Sequence, residues 1–338
     1  MFGALKAFRR DPRLPARPAQ PAVSAGAWLQ REEAIMGTAI SVVLWSDDAQ
    51  QGEAAIDAVM AEMHRIDHAM SPHRPDSELS RINREAHAAP VPLSAEMTRL
   101  IAKAQAFSAL SGGAFDITYA AVGQLYDYRA GVRPSAEALA LARAAVGYRY
   151  LMLDEAARTV RFARPGMRID LGGFAKGHAV DQAAAILKAR GIAHAHVSAG
   201  GDSRVIGDHR GRPWSIGIRD PRRADEMVAV LPLQDVSIST SGDYERFFEV
   251  NGERCHHLID PATGLSPRSV HSVTILADDG LTTEAMSKSL FVLGLDKGMA
   301  LIESQAGLDA IVIDHLGELH FSSGLMAAPV QRSGAVPA

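Results

Sequence analysis

Apolar residues recur at helical spacing in the first part of the chain. Between Gln51 and Ala69, the residues Ala55, Ile56, Val59, Met60, Met63 and Ile66 share one face. That pattern predicts an amphipathic helix with a buried stripe, stopped by Ser71-Pro72. Ser94–Ser111 predicts a second helix, with Ser94 as N-cap, Leu100, Ile101, Ala104 and Phe107 on one face, and Gly112-Gly113 closing it. Ser135–Val146 repeats the pattern and ends at Gly147. Ahead of these helices, Ala34–Trp45 is rich in Ile, Val and Thr and predicts a first strand, so order is expected from near Glu33.

After Gly147 the pattern shortens. Strands are predicted at Tyr148–Leu153, Thr159–Ala163, Arg168–Leu171, Ala195–Ala199, Trp214–Arg219, Met227–Pro232 and Val236–Ser239. Further strands are predicted at Phe247–Val250, Val270–Ala277, Ala310–Asp314 and Leu319–Ser322. Helices at Lys176–Arg190, Thr283–Leu293 and Lys297–Gln305 interrupt them. Many strands with a few intercalated helices predict an α+β fold with mixed or antiparallel sheets. No internal repeat or low-complexity linker divides it. The expected organisation is a flexible tail over 1–30, one compact domain over 31–326 and a second tail over 327–338.

Composition narrows the function. The net charge of −4 provides no broad basic field, which argues against nucleic-acid binding. No run reaches the ~18 apolar residues of a membrane span. Cys255 is the single cysteine, so an intrachain disulfide is impossible; beside two histidines it reads as a small packing residue rather than a nucleophile. The first residues carry Lys6, Arg9, Arg10, Arg13 and Arg17 among Pro12, Pro15, Pro18 and Pro21, without the apolar stretch of an export signal. On the residues given, a cytoplasmic location is expected.

Five glycine-containing segments could carry chemistry. Gly112–Thr118 reads as a helix C-cap and turn. In Arg168–Asp181, the paired Gly172-Gly173 lead a strand into a helix with Lys176 near its start; this is either an anion site at a helix N-terminus or a tight turn. Val197–Arg204 ends a strand in Gly200-Gly201 and an acid, leaving room for a flat ligand or forming a hairpin. Ser239–Arg246 is followed by His256-His257-Leu258-Ile259-Asp260-Pro261, where adjacent histidines point to opposite faces of a strand. One as a base and the other as a packing residue fits better than a metal pair. In Leu281–Gly294, Glu284 and Lys288 are spaced for an i,i+4 ion pair, and Asp278 and Asp279 could bind a cation or cap the helix.

Taken in order, these five segments, with Met36-Gly37-Thr38 and Ser77–Asn83, resemble the FAD:protein FMN transferases, the ApbE-type family, from about Ile35 to Leu293. The resemblance implies an ApbE-like, T-fold-like architecture. It also implies transfer of FMN from FAD to a threonine hydroxyl of an acceptor protein, with release of AMP. By resemblance, Met36, Gly113, Asp116, Lys176, Gly200, Gly201 and Asp243 line or shape the FAD site, and His257 accepts the threonine proton. The family's magnesium is held by an Asp, a Thr and a backbone carbonyl, which map onto Glu284, Lys288 and Ala175. Two of these depart from the pattern: Glu284 replaces the Asp, and Lys288 replaces the Thr. Lysine does not ligate a metal while charged, so Lys288 either replaces part of the metal's charge or marks loss of the metal site. The alternative activities are FAD binding without chemistry, or FAD hydrolysis with water in place of threonine.

Overall fold

A computed structural model describes residues 26–223 and 225–326. Its frame is an eight-stranded sheet, ordered in space as Ala27–Ile35, Thr38–Ser46, Ala195–Ala199, Asp202–Ile206, Ser237–Gly242, Val270–Ala277, Asp309–Asp314 and Leu319–Phe321. Every neighbouring pair is antiparallel. The long helices Ala49–Met70, Ala175–Ala189 and Gly280–Leu293 pack on one face. A ribbon of Trp214–Arg219 and Met227–Leu233 covers the other, where Trp214, Ile218 and Leu231 pack with Val205, Ile238 and Leu276. Strand Ser237–Gly242 is therefore covered on both faces, with its serines toward the helices and Ile238 toward the ribbon.

Two of the predicted helices form for the predicted reasons, whereas a third, Ala136–Arg143, keeps its Ser135 cap but buries no residue. The stripe Ala55, Ile56, Val59, Met60, Met63 and Ile66 is buried in the helix Ala49–Met70, which Asp48 caps. Ser94 caps the helix Ala95–Leu110 by accepting the Met97 N–H at 3.1 Å. Gly112 and Gly113 end that helix at φ of 64° and 93°, and the Gly113 N–H returns to the Ser108 carbonyl.

Several boundaries differ from expectation. The first strand is a hairpin: Ile35 pairs with Thr38 around a Met36-Gly37 turn, with φ of 54° and 69°. Methionine is rarely found at positive φ, so the turn is hidden in an apparently continuous run. Strand Ala27–Ile35 also takes in residues expected in the tail; its Gln30, Arg31, Glu32 and Glu33 suit an edge strand and mask it. Arg168–Leu171 is an irregular loop, and Tyr148–Tyr150 is a single 3₁₀ turn before strand Leu151–Asp154. Strands Asp202–Ile206 and Glu253–His256 and the helix Glu78–Glu85 were not anticipated. The rest of the expected N-terminal tail, 1–25, and the expected C-terminal tail, 327–338, lie outside the described residues. No helix among the described residues is long and apolar enough to cross a membrane.

Candidate functional site

Two helices meet at a pair of glycines. A Cβ on Gly177 would lie 2.2 Å from the Gly280 carbonyl oxygen, and one on Gly280 would lie 2.6 Å from that of Gly177. Only glycine permits so close a crossing of Ala175–Ala189 and Gly280–Leu293. Asp181 secures it by accepting the N–H groups of Gly280 and Leu281 at 2.7 and 3.0 Å. Asp279 completes the cap through the Thr282 N–H at 2.7 Å. Asp279 is thus the cap of the two roles open to it.

The crossing brings Lys176 to Glu284. Its Nζ lies 2.6 Å from Glu284 Oε1 and 2.5 Å from Asp202 Oδ2. Glu284 Oε2 accepts the Gly177 N–H at 2.7 Å, and Asp202 Oδ1 accepts the Ser239 hydroxyl. Lys288, one turn after Glu284, reaches back to Glu284 Oε1 and to the Glu284 carbonyl, each at 3.3 Å. Its side chain is 18 % exposed and Glu284 is fully buried, so this is not the solvated ion pair that spacing alone allows. The Lys288 stem lies over the paired-glycine turn: a Cβ on Gly173 would sit 3.0 and 3.1 Å from its Cε and Cδ.

The electrostatics follow from this packing. Burial works against charge on Lys176, but the Asp202 and Glu284 carboxylates outweigh it and raise its pKa. Burial likewise opposes ionisation of Asp202, and Lys176 and Lys288 overcome it, so that carboxylate titrates lower than usual. Lys288 goes the other way. Burial lowers its pKa more than Glu284 raises it, and the neighbouring Lys176 charge adds to the fall.

The paired glycines make the turn that starts the lysine helix. Asp170 Oδ1 accepts the Gly172 N–H at 2.6 Å, and the Leu171 carbonyl accepts the N–H groups of Phe174 and Ala175. Tyr119 hydrogen-bonds the Asp170 carboxyl, whose pKa burial raises. Gly200, at φ 63°, and Gly201 form the hairpin turn before Asp202. A Cβ on Gly201 would meet the Thr240 carbonyl oxygen at 2.6 Å, and one on Gly200 the Thr38 hydroxyl at 2.8 Å. These glycines therefore serve close packing as well as the turn.

His257 borders the same cluster. Its backbone N–H donates to the Arg246 carbonyl, and Arg246 in turn reaches the Gly37 carbonyl beside Met36 at 3.4 Å. Its Nδ1 is buried without a partner. Burial, followed by the charge of Lys288, pushes its pKa down to about 3, so the ring is neutral. His256 has the packing role expected of one of the pair: its Nε2 meets the Pro267 carbonyl at 2.8 Å and its ring meets the Phe291 edge. Cys255 beside it is half-buried and makes no disulfide.

Three further expected site residues make local contacts within the protein. Asp116 is buried and accepts from the Thr118 N–H and hydroxyl and the Tyr148 N–H, tying two loops together. Gly113 sits in the adjoining helix cap, next to the Tyr148 ring. Asp243 is held bidentately by Arg222 at 2.8 and 2.7 Å and contacts His271 Nδ1 at 3.1 Å. Burial opposes its charge, but Arg222 outweighs burial and its pKa falls.

Arg222 and Tyr119 went unremarked in sequence, and Asp202, Ser239 and Arg246 stood in candidate segments without an assigned role. For Asp202, its place directly after Gly-Gly was a usable signal.

The sequence matches the ApbE family over residues 36–312. The chain belongs to the ApbE family. A FAD:protein FMN transferase of Treponema pallidum is 34% identical over 316 residues, covering 88% of this chain and 87% of its own. One from Haemophilus influenzae is 34% identical over 282 residues, covering 79% and 81%. The ApbE protein of Thermotoga maritima superposes with a TM-score of 0.82 at 32% identity, over 89% of this chain and 99% of that one. The flavin transferase ApbE of Vibrio cholerae superposes at 0.80 and 27% identity, over 89% and 99%.

Within this ApbE-family chain, the donor set at Glu284 does not fit a divalent cation. Both Glu284 oxygens accept hydrogen bonds from within the protein, and Lys288 brings an amine where a ligand oxygen is needed. Among the described residues, three carboxylate or imidazole ligand atoms within 4.8 Å of one another occur at Asp314, Glu318 and His320 instead. That group lies at the turn of the last hairpin, where His320 already bonds Asp314.

Proposed function

We propose that this chain is an FAD:protein FMN transferase. The acceptor's threonine oxygen attacks the phosphorus on the FMN side of the FAD pyrophosphate. A new P–O bond forms, the bond to the bridging oxygen breaks, and AMP leaves with that oxygen and its electron pair. The hydroxyl proton passes to His257. Such a reaction asks a protein mainly for positioning and charge stabilisation.

One observation carries this reading: two lysines converge on Glu284 beside a histidine whose buried Nδ1 has no partner. The relatives that bear this activity in their names, at 34% identity over most of their length, support it. Met36, Gly200 and Gly201 sit on turns bordering this cluster and frame the FAD groove; Gly113, Asp116 and Asp243 brace its surroundings.

The neutral His257 ring, whose Nδ1 has no partner within the protein, is available to accept the hydrogen bond of the acceptor's hydroxyl. Burial chiefly holds its pKa down, and bound pyrophosphate offsets the further lowering by the lysine charges, so its basicity rises.

The test is incubation with FAD, with and without a threonine-bearing acceptor, followed by quantitation of AMP and acceptor-bound flavin. Acceptor-dependent AMP and flavinylation support the reading. AMP without an acceptor makes the protein a hydrolase, and saturable FAD binding without AMP makes it a flavin carrier. No binding at about 100 μM, on the order of −5 kcal/mol, removes every flavin reading.

A further inference from the structure

A divalent cation and the side chains around Glu284 compete for the same oxygens. Magnesium demands near-octahedral oxygen ligation at about 2.0–2.1 Å. Here Glu284 Oε1 faces Lys176 at 2.6 Å and Lys288 at 3.3 Å, and Oε2 holds the Gly177 N–H at 2.7 Å. Asp202 is committed to Lys176 and Ser239. Two ammonium groups thus balance two carboxylates. A metal would have to displace one ammonium and sit beside the other.

The two lysines are not equivalent. Lys176 is bound tightly to both carboxylates, at 2.5 and 2.6 Å, and serves to hold them. Lys288 makes two longer contacts of 3.3 Å and remains partly exposed, so it keeps donor capacity for an incoming ligand. Its stem is laid along Gly173, which aims it at the turn that starts the lysine helix. The dipole of that helix favours negative charge at its start, where Glu284 already takes the Gly177 N–H.

We propose that the Lys288 ammonium takes the place of a divalent cation in this chain, contacting the FAD pyrophosphate so that FAD is bound and cleaved without a metal. The inference rests on the transferase reading. The bond changes are those given above, with no further reactant.

Fluorescence-quenching titration with FAD, in excess EDTA and in millimolar magnesium, tests the inference together with AMP release under both conditions. The two FAD affinities, and the two rates, are expected to agree within about threefold. Lys288→Met should weaken FAD binding by about tenfold or more in both media, since a charge-assisted contact is lost. Joint Glu284→Asp and Lys288→Thr substitution should create a magnesium dependence of about tenfold or more. Circular dichroism checks folding of each variant; if the double variant does not fold, the wild-type comparison and Lys288→Met decide. A wild type that loses about tenfold or more in EDTA and regains it with magnesium keeps the FAD reading and overturns the role of Lys288. Absence of FAD binding in both media overturns both.

Discussion

Glu284 accepts the backbone N–H of Gly177 through Oε2 at 2.7 Å, across a helix crossing only glycine allows. One bond thereby fixes the register of two helices and the position of the lysine preceding Gly177. The crossing predicts a reversal of ordinary helix propensity. In a free helix, Gly→Ala stabilises by about 1 kcal/mol. Gly177→Ala places a methyl 2.2 Å from a carbonyl oxygen of a buried backbone and must push the helices apart. We expect a loss of about 2 kcal/mol or more in urea unfolding, with weakened FAD binding. A stabilised variant would show that the crossing can relax without cost.

Some of this was legible in sequence and some was not, for identifiable reasons. The helix Ala95–Leu110 was readable because its Ser94 cap, apolar stripe and closing glycines all agree. The strands Ala195–Ala199, Trp214–Arg219 and Val270–Ala277 have the expected bounds, since their branched and aromatic residues stop at turns. Asp202–Ile206 was missed because Asp202 and Ser203 at its start are polar yet buried, and local pattern cannot express that compensation. The site shows the same limit. Lys176, His257, Glu284 and Lys288 were visible as residues, but the sharing of Glu284 by both lysines depends on a glycine crossing between segments 103 residues apart (177 to 280). Asp243, placed at the FAD site by resemblance, is held by Arg222 from the ribbon's connecting loop, a partner 21 residues away that local pattern does not reveal.

Buried neutral histidines predict acid sensitivity. His196 and His257 titrate at about 4 and about 3 in the fold, lowered chiefly by burial, against about 6.5 in an unfolded chain. The unfolded state therefore binds more protons between those values. The contribution of each is complete above pH ~6.5 and is lost as pH falls toward its folded pKa. Each adds a slope of about 1.4 kcal/mol per pH unit within that window. His196→Phe, against Trp214, should reduce the measured slope between pH ~4.5 and ~6 by about one proton's worth. An unchanged slope would mean that His196 is protonated in the fold.

Met36 holds a left-handed conformation at φ 54° that asparagine or glycine would occupy more easily. Strain of this kind costs about 1 kcal/mol and persists where a side chain is needed. Met36→Asn is expected to change stability by less than about 1 kcal/mol, the relieved strain offsetting lost packing, while FAD affinity falls severalfold. Unfolding and FAD titration on the same preparation separate the two effects. Undiminished affinity would place Met36 outside the groove and leave its φ as a feature of the hairpin alone.

His257 should matter to chemistry more than to binding. Its Nδ1 has no partner in the fold, so removing it strands no hydrogen-bonding group on that side of the ring. His257→Ala is expected to slow AMP release by about 10²–10⁴-fold, with FAD affinity nearly intact. The same reasoning predicts a change in the wild type on ligand binding. Burial and the Lys288 charge hold the ring near pKa 3, and burial persists when FAD binds, but the pyrophosphate counters the charge. Histidine-labelled NMR should find the His257 pKa raised by at least about one unit in the FAD complex, while that of His196, on the opposite face of the sheet, stays fixed. A variant with full AMP release removes His257 from proton transfer. An unmoved His257 pKa would mean that the pyrophosphate lies too far from Lys288 for either residue to act on it.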